Sequence, residues 1–433
     1  MKFPGRRKTK HYFPITEKGR TSLNEPVDAS SSNVYIVGID QLLVDIEINV
    51  NDEFLDKYSL AKGQSTIIDD ELCEIIYMEC KDNKLILGEF PGGAVGNTLH
   101  NFAVLSESSC YALGAIKRQI EVGDYAFKYL SKTSGLVDMT HLQPSEKAMG
   151  RAFCFITPDL ERTFVISTGC MNDFSAEFIP GHILQDASAL LVSAYTLRSD
   201  KDPIYHATVK ACEMAKQSGV PVVMSLGTSS LVAEKQSFLK EFSKEYVSVL
   251  AMNKDEAHAL TGQEDALLAC EEILDLVDMA LVTVGKQGLY VAAYADDHIK
   301  RHTSEPLVTK SLINYNQYEY SRAMRKKSCK KPLKIFSHIN PFKGGPLSIK
   351  NTNGAGDAAL SAVLHDISAN AHHRTIVPNS PKHESEYLSY SSISQVCKYA
   401  NRVSFEVLNQ NSPRLYKALP EKEDSLEEGY WSK

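Results

Sequence analysis

Asn351-Thr352-Asn353-Gly354-Ala355-Gly356-Asp357-Ala358-Ala359-Leu360 is the stretch on which the reading of this chain turns. Glycines at 354 and 356 let backbone amides approach a ligand where a Cβ would collide. The apolar run that follows, through Val363-Leu364, reads as the start of a buried helix. The glycine turn therefore sits at a helix N-terminus, where unpaired N–H groups and the helix dipole favour an anion. Asp357 falls in the first turn, beside that anion position, and a carboxylate there can take a proton from an attacking hydroxyl. A plain helix cap with Asn353 at the N-cap fits the same spacing equally well, so the rest of the chain has to decide.

The chain of 433 residues is long enough for one large α/β domain or two smaller ones, and 43% hydrophobic with 23% charged residues is ordinary for a globular protein. A net charge of −7 argues against a general nucleic-acid binder. Nine cysteines, an odd number with no C-x-x-C pair, fit reduced thiols. No run of about 18 apolar residues occurs, so no membrane span is expected, and the expected location is cytoplasmic. Residues 1–33 read as a basic and polar leader, and residues 421–433 as an acidic tail.

Val34–Ile39 is the first strand, apolar throughout as a strand buried on both faces would be. Short alternating segments at about 43–50, 85–90 and 151–168 suggest a small antiparallel sheet surrounding the glycine-rich turn Pro91–Asn97, which runs into a helix over Thr98–Leu105. From about residue 188 strands and helices alternate, which implies parallel strands with right-handed crossovers. Such doubly wound sheets bind ligands beyond the carboxyl ends of their strands, where Asp40, Arg198, Asn253 and Gly285 fall. An insert at about 295–350, rich in Lys, Arg, Asn and Tyr, has no clear place in the sheet. The helix opened by Gly354 is expected to reach about Ser368, followed by a polar insert over His372–Tyr387 and a helix over Ser391–Leu408.

Five motifs now stand in order: Gly92-Gly93 with Asn97, Glu161-Arg162-Thr163, Asn253 with Glu256, Thr283-Val284-Gly285-Lys286-Gln287-Gly288, and Asn353-Gly354-Ala355-Gly356-Asp357. This series, over roughly residues 34–410, resembles the ribokinase-like (PfkB) carbohydrate kinases, which implies a kinase domain over 34–420. Val37-Gly38-Ile39-Asp40, Asn316-Gln317-Tyr318-Glu319 and Lys398–Ser404 bring the resemblance closest to those members that act on purine nucleosides. It implies an α/β fold, ribokinase-like, with a doubly wound, mostly parallel sheet and a small β-sheet lid. It also implies ATP-dependent phosphorylation of the 5′-hydroxyl of inosine and guanosine, with Mg2+ and K+. One departure is the insert: about sixty residues separate Gly288 from Asn351, enough to reshape the nucleotide site or carry a homodimer contact.

The resemblance assigns roles, each with a plainer alternative. Asp357 would be the base, and the amides of Ala355, Gly356 and Asp357, admitted by Gly354, the anion hole. Asp45 and Asn97 would hold the ribose hydroxyls, with Gly92 and Gly93 letting the backbone approach; as a pair those glycines are also a common turn. Either Asp40 or Asp45 suits the main ribose carboxylate, and the Leu43-Val44-Asp45 pattern favours Asp45, with Asp40 lining the same pocket. Asn253 and Glu256, one helical turn apart, would face a hydrated Mg2+, or else form a capping box. Thr283, Gly285, Gly288, Asn353 and Asn401 would lie on the nucleotide side, while Arg162 and Arg198 would contact the acceptor or its phosphate, unless they are surface ion pairs. His298 and His302 have i, i+4 spacing but no third ligand, so zinc is not expected. No P-loop or G-x-S-x-G sequence is present. A kinase of another small sugar and a non-catalytic nucleoside-binding protein are the competing readings.

Overall fold

The computed structural model describes residues 34–159, 161–303, 311–312, 314–341, 349–350 and 352–419. The leader at 1–33 and the acidic tail at 421–433 lie outside the described residues.

Ile36–Ile39, buried at all four positions, lies inside an eleven-stranded sheet. On one side it pairs in parallel with Cys110–Leu113, and beyond that with Val137–Asp138. On the other, Ala189–Ser193, Val222–Ser225, Val247–Asn253 and Met279–Thr283 follow, all parallel. Runs such as Ala189–Ser193, in which every residue is buried, are strands covered on both faces, as parallel sheets require. One core packs under helices including Pro203–Ser218 and Gln236–Tyr246. The other packs under Ala94–Ser106, Ala355–Ile376 and Ile393–Leu408.

The insert resolves into sheet. After Met279–Thr283 the chain turns back as Leu289–Asp296, antiparallel, and Pro332–Ile339 runs antiparallel along its whole length. Arg322–Met324 pairs with the end of Leu289–Asp296, and Tyr387–Ser392 closes that edge. The polar insert expected over His372–Tyr387 is corrected at both ends. The helix continues through His372 to Ile376, and residues from Tyr387 form a strand. Within this 22-residue helix Ala358–Asn370 is buried without a break, because neighbouring helices cover it on two sides and the sheet on a third. His298 lies in a one-turn helix, Asp297–Ile299, and the His302 ring packs 4.9 Å from that of Tyr318; among the described residues no metal cluster forms.

A separate five-stranded sheet has the order Ser65–Ile68, Arg162–Ser167, Gly150–Ile156, Leu43–Asn49, Ile86–Pro91. It is mixed rather than antiparallel: Leu43–Asn49 runs parallel to Gly150–Ile156, and Ser65–Ile68 parallel to Arg162–Ser167. Helices Asp52–Lys57 and Asp70–Asp82 supply the covering face that the sequence reading lacked. Val44, Ile46 and Ile48 turn toward Phe54, Leu55, Cys73 and Ile76, so the period of two leaves Asp45 and Glu47 on the opposite face.

Gly288 closes the turn between the antiparallel strands at φ +87°, and a Cβ there would stand 1.8 Å from the Ile339 carbonyl oxygen. Neither the backbone angle nor the neighbouring backbone can yield. Gly288→Ala is expected to lower unfolding stability by about 2–4 kcal/mol in urea titration, whereas an unchanged midpoint would contradict this packing.

Candidate functional site

Gly354 has φ +78°, and a Cβ on it would meet Pro413 at 2.6 Å, so both conformation and packing call for glycine. The helix Ala355–Ile376 starts directly after it. Ala358 N–H donates to the Gly354 carbonyl at 2.8 Å, which leaves the three preceding N–H groups at the open helix end. The Ser404 hydroxyl donates to the Ala355 carbonyl at 2.7 Å and ties this end to the last helix.

Asp357 opens onto a polar cluster. Asn97 Nδ2 donates to Asp357 Oδ2 at 3.2 Å, and Asn97 Oδ1 accepts from Arg414 Nε at 2.9 Å. The two aspartates left open by the sequence separate here. Asp40, 2% exposed, accepts from the Gly96 amide at 2.8 Å and so caps the start of helix Ala94–Ser106. The carboxyl of Asp45, half-buried on the small sheet, accepts no hydrogen bond among the described residues. The Gly92-Gly93 pair serves both carboxylates. A Cβ at Gly92 would come within 2.7 Å of the Asp45 carboxyl, and one at Gly93, where φ is +89°, within 2.3 Å of Asp40 Oδ2.

Burial raises the Asp40, Asp45 and Asp357 carboxyls from 3.8 to about 7. The Asp357 charge adds to the rise at Asp40 and Asp45, and the Arg414 guanidinium opposes it at all three.

On the other side of Asp357, Asn253 and Glu256 form a full capping box. The Asn253 side chain accepts from Glu256 N at 2.9 Å, while Glu256 accepts from Asn253 N at 3.1 Å and Nδ2 at 2.6 Å. Burial pushes Glu256, 4% exposed, to about 7, with the backbone amide of Asn253 opposing and Asp357 contributing. Thr283 pairs with Asn253 at the ends of adjacent strands, and Gly285, at φ +50°, is exposed in the turn that follows. Arg198 makes no ion pair among the described residues, its guanidinium lying 5.6 Å over the Tyr195 ring.

Asn353 and Asn401 each bridge two parts of the fold. Asn353 donates to Glu47 at 3.1 Å and accepts from Arg162 at 2.8 Å, and Arg162 also donates to Thr352 at 2.8 Å. Its side chain therefore belongs with the small sheet. Asn401, 8% exposed, donates to the Asn340 carbonyl at 3.3 Å and joins the last helix to the end of Pro332–Ile339.

Arg414, with its neighbours Tyr129 and Thr133, was missed by sequence reasoning. A single arginine in Ser412-Pro413-Arg414-Leu415 carries no motif, although a proline after a long helix could have flagged a turn back onto the fold.

A family model described as pfkB family carbohydrate kinase matches residues 80–307. The chain is 50% identical over 434 residues to the guanosine-inosine kinase of Escherichia coli (strain K12), with 100% of each covered. Among solved structures it is similar to a probable sugar kinase from Rhizobium etli CFN 42, at TM-score 0.65 and 19% identity, covering 89% of this chain and 96% of that one. An adenosine kinase from Sinorhizobium meliloti follows at TM-score 0.64 and 18% identity, covering 89% and 97%.

The raised carboxyls set a direction for stability. A group with its folded pKa near 7 and an unfolded value near 3.8 contributes stability below the lower value and loses it as pH rises through the upper one. Asp45→Asn removes that loss, so the variant is expected to be more stable than the parent at pH 8, by about 1–2 kcal/mol given partial exposure. The two should converge near pH 4. Thermal melts at both pH values check this, and a variant less stable at pH 8 would contradict it.

Proposed function

The chain belongs to the pfkB family of carbohydrate kinases, and we propose that it transfers the γ-phosphoryl group of ATP to the 5′-hydroxyl of guanosine and inosine, giving GMP and IMP. The observation that carries this reading is the presence of Asp357, at the open helix end, beside an Asp45 carboxylate that has no hydrogen-bond partner among the described residues. The substrate class comes from the Escherichia coli guanosine-inosine kinase, half identical over its full length.

In this reading Asp45 and Asn97 hold the ribose hydroxyls. An acceptor-only carboxylate takes up two hydroxyl hydrogens, and leaving it unpaired penalises a ligand without them. Asp357 accepts the 5′-hydroxyl proton as the oxygen attacks, and a pKa near neutrality suits a group that must be ionised yet basic. The amides of Ala355, Gly356 and Asp357 stabilise charge on the moving phosphoryl group, already oriented before reaction. ATP lies toward Asn253, Thr283 and Gly285, at the carboxyl ends of their strands.

Mg2+ supplies charge neutralisation on the phosphates when bound. The Asn253–Glu256 pair fits an ion held through water, since both carboxylate oxygens of Glu256 already accept from Asn253. K+ as an activator is part of this proposal, and the assay below tests it. The expected compartment is the cytoplasm; all nine cysteines are free thiols, eight of them buried, and no described helix is long and apolar enough to cross a membrane.

Turnover of guanosine, inosine, adenosine, ribose and fructose with ATP, with and without K+, is expected to favour the first two and to rise with K+. Preference for a free sugar would overturn the substrate assignment. Asp357→Asn should lower kcat by about 10²–10⁴-fold while guanosine binding by calorimetry persists; an active variant would remove Asp357 from the reaction.

A further inference from the structure

Arg414 is 2% exposed, yet among the described residues no carboxylate forms an ion pair with it. Its N–H groups go to neutral acceptors: Nε to Asn97 Oδ1 at 2.9 Å, one terminal nitrogen to Thr133 Oγ1 at 2.7 Å, the other to the Gly92 carbonyl at 3.4 Å. The Tyr129 ring lies 4.9 Å from the guanidinium. A buried charge in such surroundings is costly unless something nearby requires it.

The geometry points to Arg414 as a positioning residue for phosphoryl transfer: it fixes the Asn97 amide, and the amide in turn aims Asp357 at the acceptor hydroxyl. The inference rests on Asp357 acting as the base. Guanidinium only donates, so the oxygen of Asn97 must face Arg414. The NH2 group is then forced toward Asp357 Oδ2, where it stands at 3.2 Å. With one carboxylate oxygen held, the other is left for the substrate. An amide turned the other way would present oxygen to oxygen at Asp357.

The segment carrying Arg414 is itself pinned. Leu415 N–H donates to Asn101 Oδ1 at 2.7 Å, the Leu415 carbonyl lies 3.0 Å from His100 Nε2, and Arg414 N–H donates to Ser412 Oγ at 3.1 Å. Pro413 packs against Gly354. One short segment therefore fixes both the glycine turn and the amide that orients the carboxylate following it. The charged and titratable groups facing Arg414 come from every surrounding element: Asp40 after the first strand, Asp45 from the small sheet, His100 beside Asn97, Tyr129 from Tyr125–Ser131, and Asp357. Its charge lowers the three carboxyls and also holds His100 down, at about 4, after burial as the main cause.

The test uses the full chain with Arg414→Met, Arg414→Lys, Asn97→Ala and the combinations, with kcat and KM measured from pH 5.5 to 9. Arg414→Met is expected to lower kcat at pH 8 at least tenfold, to move the acid limb of kcat to higher pH, and to leave KM for ATP within twofold. Arg414→Lys should keep the acid limb near the parent's while kcat stays low, because an ammonium keeps the charge but not the planar fork. In the Asn97→Ala background either change should add less than threefold. Parental kcat and acid limb in Arg414→Met, or effects that multiply in the double variant, would overturn the inference. Should Arg414→Met fail to melt cooperatively, the Arg414→Lys cycle decides by the same criteria. If Asp357→Asn is inactive while Arg414→Met behaves as the parent, this inference alone fails; if Asp357→Asn is active, the reading of Asp357 fails instead.

Discussion

Three carboxylates and one guanidinium share the space between the end of the first strand, the small sheet and the glycine turn: Asp40, Asp45, Asp357 and Arg414. Like charges at short range in a low-dielectric interior repel strongly, and each carboxyl also loses its water. Both effects favour the protonated forms. The fold holds the groups through contacts that are mostly distant along the chain. Asp40 binds an amide 56 residues away, and Arg414 binds Asn97 across 317 residues. Such a concentration of charge works against stability and persists where it serves a site. The glycines obey the same constraint: Gly92, Gly93 and Gly96 are where a Cβ would strike those carboxylates.

Much of the frame was legible. Apolar runs such as Ala189–Ser193 announce buried parallel strands, and Gly354–Asp357 announces a helix start, since both depend on local chemistry. The sense of the small sheet was not legible. Alternation in Leu43–Asn49 fixes which side chains face inward, and it placed Asp45 and Glu47 correctly on the open face, but it says nothing of the direction of the partner strand. Pro332–Ile339 was obscured because its side chains meet half-covered surroundings at an antiparallel edge, so the apolar signal is diluted. The last turns of Ala355–Ile376 are surface turns, and their His-His-Arg content reads as loop.

At the site the sequence brought Asp357, Asn97, Asp45, Asn253 and Glu256 to one region, and the structure sorted them. Asn253 and Glu256 form a capping box, its buried glutamate near enough to feel Asp357. Asn353 joins Glu47 and Arg162, so three hydrogen bonds link the small sheet to the glycine turn through Arg162 and Asn353. These contacts bring the cover and the anion position together, which favours exclusion of water during transfer. Arg414 escaped because its partners lie hundreds of residues upstream, and a lone arginine advertises none of them.

The central claim is that a nucleoside's ribose sits between Asp45 and Asp357 with its 5′-oxygen at the helix start. The most direct measurement is a crystal structure of the complex with guanosine and a non-hydrolysable ATP analogue. The account predicts the ribose 2′- and 3′-hydroxyls on Asp45, and the 5′-oxygen within about 2.6–3.2 Å of the Asp357 carboxylate. A ribose held away from Asp45, or a 5′-hydroxyl turned from Asp357 toward bulk water, would contradict it.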